Sequence, residues 1–359
     1  KANQTITFNP LPDAVFGDPP LEPVVSSSSG LEVILSSENT GVAMISGNQI
    51  LINGAGTVLI TASQPGNNNY NPAENVSVLL TVRKADQNIV FQPLGEVKYG
   101  APPITPEAIA SSGLAVSYIS SDTDVAEIVN GKISIKGTGV TIITASQNGN
   151  ENYNPAGDVT STLTVTKASL TFSANNVSRE YLRPNPVLTF TVTGFVYDDN
   201  INDLNDLPVL TTEATVDSPV GEYEISIAGG SDDCYDFIYN SGILTITKIS
   251  QTITVTEKPE ELLMNSSFQL AAIASSGLPV AFESLNTNVA VVSGSVLTGK
   301  AGGTVIIRAY NNGNENYGPA ETTFEVRIIT THRNIMNLFT PNNDGFNDYW
   351  EIPDLVTFG

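Results

Sequence analysis

Few side chains in this chain can carry chemistry, and their spacing limits what each could do. The one histidine, His332, has no second histidine to share a metal or a proton relay, so a Ser-His-Asp triad or a histidine-based metal site lacks its parts. The one cysteine, Cys234, follows Asp232 and Asp233, whose charge raises a thiol pKa and works against a reactive thiolate. It reads as a small, half-buried side chain, and no intrachain disulfide can form. Asp198, Asp199, Asp203 and Asp206 gather carboxylates that could hold calcium or act as a glycosidase-like pair. Their spacing supports neither, and no aromatics surround them, so the segment reads as a solvated loop. Near the C-terminal end Asn343, Asp344, Asn347 and Asp348 again bring oxygens together. Two readings stand there: calcium held by Asp344, Asn347 and Asp348, or a hydrogen-bonded turn in which Gly345 supplies the unusual backbone angle. The sequence lacks the full Asp-x-Asp-x-Asp-Gly series of an EF-hand. Trp350 is the one tryptophan, so the repeats offer little for a sugar-stacking platform.

The elements that must position these groups follow from composition. The 359 residues include 15 basic and 37 acidic side chains, a net charge of -22. Such a surface repels nucleic acid and anionic lipid and keeps a long array of modules soluble. Glycine (29) and proline (21) punctuate short runs of Val, Ile and Thr, as many strands joined by turns require. No apolar stretch approaches the roughly 20 residues of a membrane-spanning helix.

Internal repetition dominates the chain. Gly149-Asn150-Glu151-Asn152-Tyr153-Asn154-Pro155-Ala156 recurs 83 residues earlier as Gly66-Asn67-Asn68-Asn69-Tyr70-Asn71-Pro72-Ala73, and 164 residues later as Gly313-Asn314-Glu315-Asn316-Tyr317-Gly318-Pro319-Ala320. Gln4, Gln87 and Gln251 keep the same offsets, as do Ser29-Gly30-Leu31, Ser112-Gly113-Leu114 and Ser276-Gly277-Leu278. So do Val42-Ala43, Val125-Ala126 and Val289-Ala290, and the glycines Gly56, Gly139 and Gly303 that precede apolar runs ending in Ala62, Ala145 and Ala309. A divergent unit fills the interval between the second and third copies. Boundaries fall at Lys84-Ala85, Lys167-Ala168 and Lys248-Ile249, giving modules 1–84, 85–167, 168–248 and 249–330, then 331–359. Lys1-Ala2 matches Lys84-Ala85, so the chain is expected to begin inside a longer array. With no flexible linker at any boundary, the units should stack into a semi-rigid rod. Strands of roughly 20 Å make each module about 40 Å and the rod on the order of 150 Å.

Within 85–167 the pattern predicts seven strands: 87–91, 105–111, 114–120, 125–129, 132–135, 140–146 and 160–166. Asn130-Gly131 is a favoured tight-turn pair for the hairpin between the fourth and fifth. Val116 and Tyr118 share a face, Ile143 is in register with Ala145, and Leu163 and Val165 alternate with threonines. Val33/Leu35 and Val280/Phe282 fill the third-strand columns of the other copies. The class is all-β, tandem immunoglobulin-like sandwiches. The Gly-Asn-x-Asn-Tyr-x-Pro-Ala segment lies between the last two strands as framework, its tyrosine expected to plug the open end of its own sandwich.

On the Ser-Gly-Leu, Val-Ala and Gly-x-x-x-Ile-x-Ala anchors, residues 1–84, 85–167 and 249–330 resemble the group-2 bacterial Ig-like domains of surface adhesins. That resemblance implies a spacer or adhesive role without catalytic residues. Residues 168–248 resemble the MBG type of bacterial Ig-like module, through Gly194-Phe195, Ser218-Pro219-Val220-Gly221-Glu222-Tyr223, Gly229-Gly230 and Gly242-Ile243-Leu244-Thr245-Ile246-Thr247-Lys248. The string Phe339-Thr340-Pro341-Asn342-Asn343-Asp344-Gly345-Phe346-Asn347-Asp348-Tyr349-Trp350 resembles the opening of the gliding-motility-associated C-terminal domain, the type B sorting signal of type IX secretion. This resemblance implies a Bacteroidota source, export by the type IX translocon, and retention at the outer membrane with a PorP/SprF-type barrel as partner. Phe339, Thr340, Pro341, Asn342, Asp344, Gly345, Asn347, Asp348 and Trp350 would form the sorting motif. The combined expectation is a non-enzymatic, surface-attached stalk or adhesin segment; a glycan- or protein-binding array, or an accessory region of an exported enzyme, are the alternatives.

Overall fold

A computed structural model describes residues 1–330; the sorting string and its candidate calcium ligands lie outside them. Regular structure among the described residues is β-strand apart from a single 3-10 turn, Ile201–Asp203.

Residues 85–167 show the design. One layer pairs Ile89–Phe91 with Ala108–Ala110, and Ala126–Val129 with Lys132–Ile135, all antiparallel. The other is a four-stranded sheet in the order Gly95–Lys98, Val159–Thr166, Gly139–Ser146, Ser117–Ser120. The hairpin turns through Asn130 (φ 50°) and Gly131 (φ 76°), the left-handed pair that a type I′ turn needs. Alternation in the two long strands buries Ile143, Ala145, Leu163 and Val165. Fully burying an isoleucine, leucine or valine side chain is worth about 1.5–3 kcal/mol. Thr141, also buried, offers its hydroxyl to the Asp122 N–H at 3.0 Å.

Eight strands stand here where the sequence pattern predicts seven. The additional one, Gly95–Lys98, runs parallel to Val159–Thr166. It carries one half-buried apolar side chain, Val97, among glycine and charged residues, so its sequence shows no alternation. Ala14–Val15 and Glu261–Leu263 make the same parallel pairing against Val76–Arg83 and Ala320–Ile329.

Two recurring anchors explain each other. Gly56, Gly139 and Gly303 enter their strands at φ 144°, 131° and 148°. A Cβ at the first two would press on Val42 and Val125, 3.0 and 3.1 Å away. The glycine and the Val-Ala pair are thus two sides of one close approach.

Residues 168–248 also form two sheets. One orders Phe190–Thr193, Ala168–Ala174, Tyr235–Asn240; the other orders Val177–Glu180, Gly242–Thr247, Gly221–Ala228, Val209–Thr211. The chain divides into two compact units: Lys1–Thr171 with Val192–Pro208 and Gly229–Ile238, and Phe172–Thr191 with Val209–Ala228 and Tyr239 onward. The division passes through this third segment, and each junction between successive segments falls inside one unit.

Candidate functional site at the repeat junctions

The Gly-Asn-x-Asn-Tyr loop closes on itself. Gly149 has φ 71°, and a Cβ there would sit 2.3 Å from the Tyr153 carbonyl oxygen; Gly66 and Gly313 stand the same way. The first asparagine folds the loop as an Asx turn, Asn150 Oδ1 accepting from the N–H groups of Asn152 (2.8 Å) and Tyr153 (2.9 Å). The boundary residue then pairs with the loop: Ala85 N–H donates to Asn152 O at 2.9 Å, and Asn154 N–H donates to Ala85 O at 2.8 Å. Lys84 Nζ caps Asn150 O at 2.7 Å.

A glutamine ties this loop to its own sandwich. Gln87 Nε2 donates to Asn154 O (2.8 Å) and Gln147 Oε1 (2.7 Å), while its Oε1 accepts from Ser112 Oγ. Gln4 and Gln251 repeat the arrangement with Ser29 and Ser276, and both are buried. The glutamine, Ser-Gly-Leu and Gly-Asn-x-Asn-Tyr landmarks of the sequence are therefore one hydrogen-bonded network.

From that base the second asparagine and the tyrosine reach outward to the preceding segment. Asn152 Oδ1 accepts from the Ala55 N–H at 2.9 Å, and Tyr153 meets Phe16 edge to face with ring centroids 5.4 Å apart. Asn316 Oδ1 accepts from the Val220 N–H at 3.0 Å, and Tyr317 meets Tyr181 edge to face at 5.8 Å. These tyrosines join neighbouring segments, a role beyond the expected plugging of the sandwich's open end. A T-shaped contact is favoured because the positive ring edge meets the negative face.

The third segment carries the same device in altered letters. Ala168 N–H donates to Cys234 O, as Ala85 does to Asn152 O, and Lys167 Nζ caps Asp232 O at 2.7 Å. Asp232 Oδ1 accepts from Cys234 N–H at 2.8 Å. Asp232-Asp233-Cys234-Tyr235 thus occupies the place of Asn-x-Asn-Tyr, an equivalence that backbone pairing reveals and residue identity hides. Tyr235 meets Tyr99 edge to face at 5.6 Å, and the Thr138 N–H faces the Cys234 thiol. Phe16, Tyr99 and Tyr181 are equivalent positions, each N–H donating to its own segment's last strand, at Arg83, Thr166 and Thr247.

This central joint has an extra carboxylate. Asp199 Oδ2 accepts from Tyr235 Oη at 2.6 Å and Tyr99 Oη at 3.0 Å, while Tyr197 Oη donates to Ala101 O at 2.8 Å. Burial, then the hydrogen bond to Asp199 and its charge, push both the Tyr99 and Tyr235 phenols above their ordinary range. Burial also raises the Cys234 thiol, the Thr138 N–H pulls it down, and Asp232, Asp199 and Asp233 add to the rise. That agrees with the direction read from the sequence, with burial as the larger cause.

The acidic loop is distributed over separate partners. Asp199 serves the joint, Asp203 Oδ2 accepts from the Asn200 N–H at 2.8 Å, and Asp206 exchanges backbone hydrogen bonds with Ser231. Asp198 is exposed. Among the described residues no three His, Cys, Asp or Glu side chains are grouped to hold a metal ion.

Residues 170–245 match the family model for the MBG domain, YGX type. The MBG resemblance read from 168–248 is borne out. The search of curated proteins gave no match. Among solved structures, Drosophila N-cadherin EC1-4 aligns at 12% identity and TM-score 0.25, covering 84% of this chain and 92% of that one. The human desmocollin-1 ectodomain aligns at 10% identity and TM-score 0.28, covering 90% and 81%. Surface layer protein SbsC, domains 4-9, aligns at 13% and 0.22, covering 90% and 65%. At such identities and TM-scores these likenesses carry no argument about function.

Proposed function

We propose that this chain is a spacer and adhesion segment of an exported cell-surface protein, its successive modules coupled by the joints and its end directed by the sorting string. The observation that carries the structural half is the joint itself, built three times from equivalent positions. A hydrogen bond and a ring contact at every boundary suit a protein that transmits force and resists bending. The export half rests on Phe339, Thr340, Pro341, Asn342, Asp344, Gly345, Asn347, Asp348 and Trp350. Their resemblance to a type B signal makes the type IX translocon and a PorP/SprF-type barrel the partners, a Bacteroidota outer membrane the place, and a role without catalysis the expectation. Calcium at Asp344, Asn347 and Asp348 belongs to the same proposal.

The test is to express the whole chain behind an ordinary export leader in a Bacteroidota strain with and without its type IX translocon, and to label intact cells with antibody to the modules. Translocon-dependent surface labelling, lost on Asp344→Ala with Trp350→Ala, is expected. Equal periplasmic retention in both strains would refute the export reading.

A second reading, a ligand-binding array, draws on Ile119, Val140 and Ile142, which lie exposed on one face of the four-stranded sheet of residues 85–167. An aliphatic strip suits a protein partner better than a glycan.

A further inference from the structure

The three joints share a two-part construction, and the first repeat carries one half of it a further time. The receiving half is the loop's tyrosine with the residue before it: Asn152-Tyr153, Cys234-Tyr235 and Asn316-Tyr317. The presenting half has an aromatic ring followed by a residue in the left-handed region, and a backbone N–H just ahead of a strand-opening glycine. Phe16 precedes Gly17 (φ 93°), Tyr99 precedes Gly100 (φ 92°) and Tyr181 precedes Leu182 (φ 60°). The N–H groups belong to Ala55, Thr138 and Val220, each followed by Gly56, Gly139 or Gly221.

Asn69 and Tyr70 of the first repeat form a fourth receiving half, built like the rest. Asn67 Oδ1 accepts from the Asn69 and Tyr70 N–H groups at 2.8 and 3.0 Å. Ala2 N–H donates to Asn69 O at 2.8 Å, and Asn71 N–H donates to Ala2 O at 2.9 Å, as at Ala85 and Ile249. The Gln4 network fixes the loop from behind. Asn69 is exposed, whereas Asn152 and Asn316 are half-buried under their neighbours.

We infer that the Asn69–Tyr70 face is an interaction surface for the presenting end of another Ig-like module joined in line with the first repeat. The partner's chemistry is set by the other joints: an aromatic ring to meet Tyr70 edge to face, and a free N–H for Asn69 Oδ1. Covalent, in-line placement is the arrangement that the three joints themselves show. At every joint the presenting segment ends in the residue before the paired Ala or Ile, so a module joined in line brings its presenting end to the loop. The inference rests on joint geometry alone and is independent of the export reading.

The test adds a second copy of residues 1–83 directly before Lys1 of the full chain. Single-molecule energy transfer is then recorded between a dye in the added copy and one in residues 85–167. A joint gives one narrow distribution, and Asn69→Ala with Tyr70→Ala should broaden it severalfold. Because the added copy could fold poorly in that setting, the measurement is repeated with residues 168–247, bearing Tyr181 and Val220, as the added module. Narrow distributions that broaden in the double variant support the inference. Distributions indistinguishable between parent and double variant, with both added modules, overturn it. So does saturable binding of a separately added full chain to the Asn69–Tyr70 face without any in-line narrowing.

Discussion

Replacing Asn152 by alanine tests whether the recurring loop is a joint or merely a well-formed turn. The variant keeps the Asx turn, which depends on Asn150, and the backbone pairing of Ala85 with the loop. It removes only the 2.9 Å bond from the Ala55 N–H. A net hydrogen bond is worth about 0.5–1.5 kcal/mol, and an edge-to-face ring pair about 0.5–1.5 kcal/mol beyond the area it buries. Together the Asn152 and Tyr153 contacts hold the first joint by about 2 kcal/mol, or about 30-fold in its closed-to-open ratio at 1.4 kcal/mol per tenfold. Amide exchange of Ala55 reads this directly, because its N–H leaves Asn152 when the joint opens. Asn152→Ala should speed Ala55 exchange by roughly 5- to 10-fold, taking about 1–1.4 kcal/mol for the lost bond. Tyr153→Leu should speed it by roughly 2- to 10-fold by removing the ring pair. Exchange in the core strand Gly139–Ser146 should stay unchanged in both, showing an intact sandwich. An Ala55 rate indifferent to Asn152→Ala, with that strand still protected, would refute the joint.

The central joint should respond in the opposite sense to Cys234→Asn, which restores the amide acceptor of its neighbours; Thr138 amide exchange should slow severalfold, and Cys234→Ala should speed it. Alkylation of Cys234 by iodoacetamide at pH 8.5 should be slower than that of an unfolded-chain cysteine, because a raised thiol pKa leaves less thiolate at a given pH. Tyr99 and Tyr235 have folded pKa values above the unfolded value near 10. Their contribution is therefore complete below about pH 10 and fades as pH climbs through the folded values, so phenolate absorbance should show these two rings titrating after exposed tyrosines. Gly149→Ala should lower the melting temperature of its repeat, a left-handed alanine costing about 1–3 kcal/mol before its clash with Tyr153 O is relieved.

Much of this architecture was legible in the chain because its causes are local and repeated. Asn130-Gly131 could only turn tightly, and the alternation around Ile143 and Leu163 could only bury one face. The strand Gly95–Lys98 was not legible, since a parallel edge that half-buries one valine leaves no period to read. Phe16, Tyr99 and Tyr181 went unnoticed as a set because one letter differs and the residue after each reaches positive φ as Gly17, Gly100 or Leu182. The equivalence of Asp232-Asp233-Cys234-Tyr235 with Asn150-Glu151-Asn152-Tyr153 was hidden for a similar reason. A carboxylate replaces an amide as turn acceptor, and a thiol replaces an amide carbonyl under a backbone N–H, so the roles persist while the letters change. Asp199, read with its neighbours as part of a solvated loop, turned out to be the acceptor for two phenols.

The placement of the loop gives a reason for its repetition. A tyrosine that only closed a sandwich could be any large apolar residue, and a turn needs just one of the two asparagines. The full string is required only where one loop must meet two demands: stay anchored to its own module and present a fixed acceptor and ring pattern to the preceding one. Gln87 meets the first by gripping Asn154 O and Gln147, whose Oε1 in turn takes the Gly149 N–H. Asn152 and Tyr153 meet the second. Since the anchoring glutamine grips the same short closed loop that carries the outward pair, tilting a neighbour strains the network that holds the loop to its core. It follows that Gln251→Leu, which leaves Ser276 Oγ and Gly318 O without their partner at a cost of about 1–3 kcal/mol, should loosen the last joint as well as its own module. Faster Val220 amide exchange in that variant, with Asn316 and Tyr317 untouched, is the expected result. Unchanged Val220 exchange beside a destabilised fourth repeat would show that anchoring and joining are separate functions of the loop.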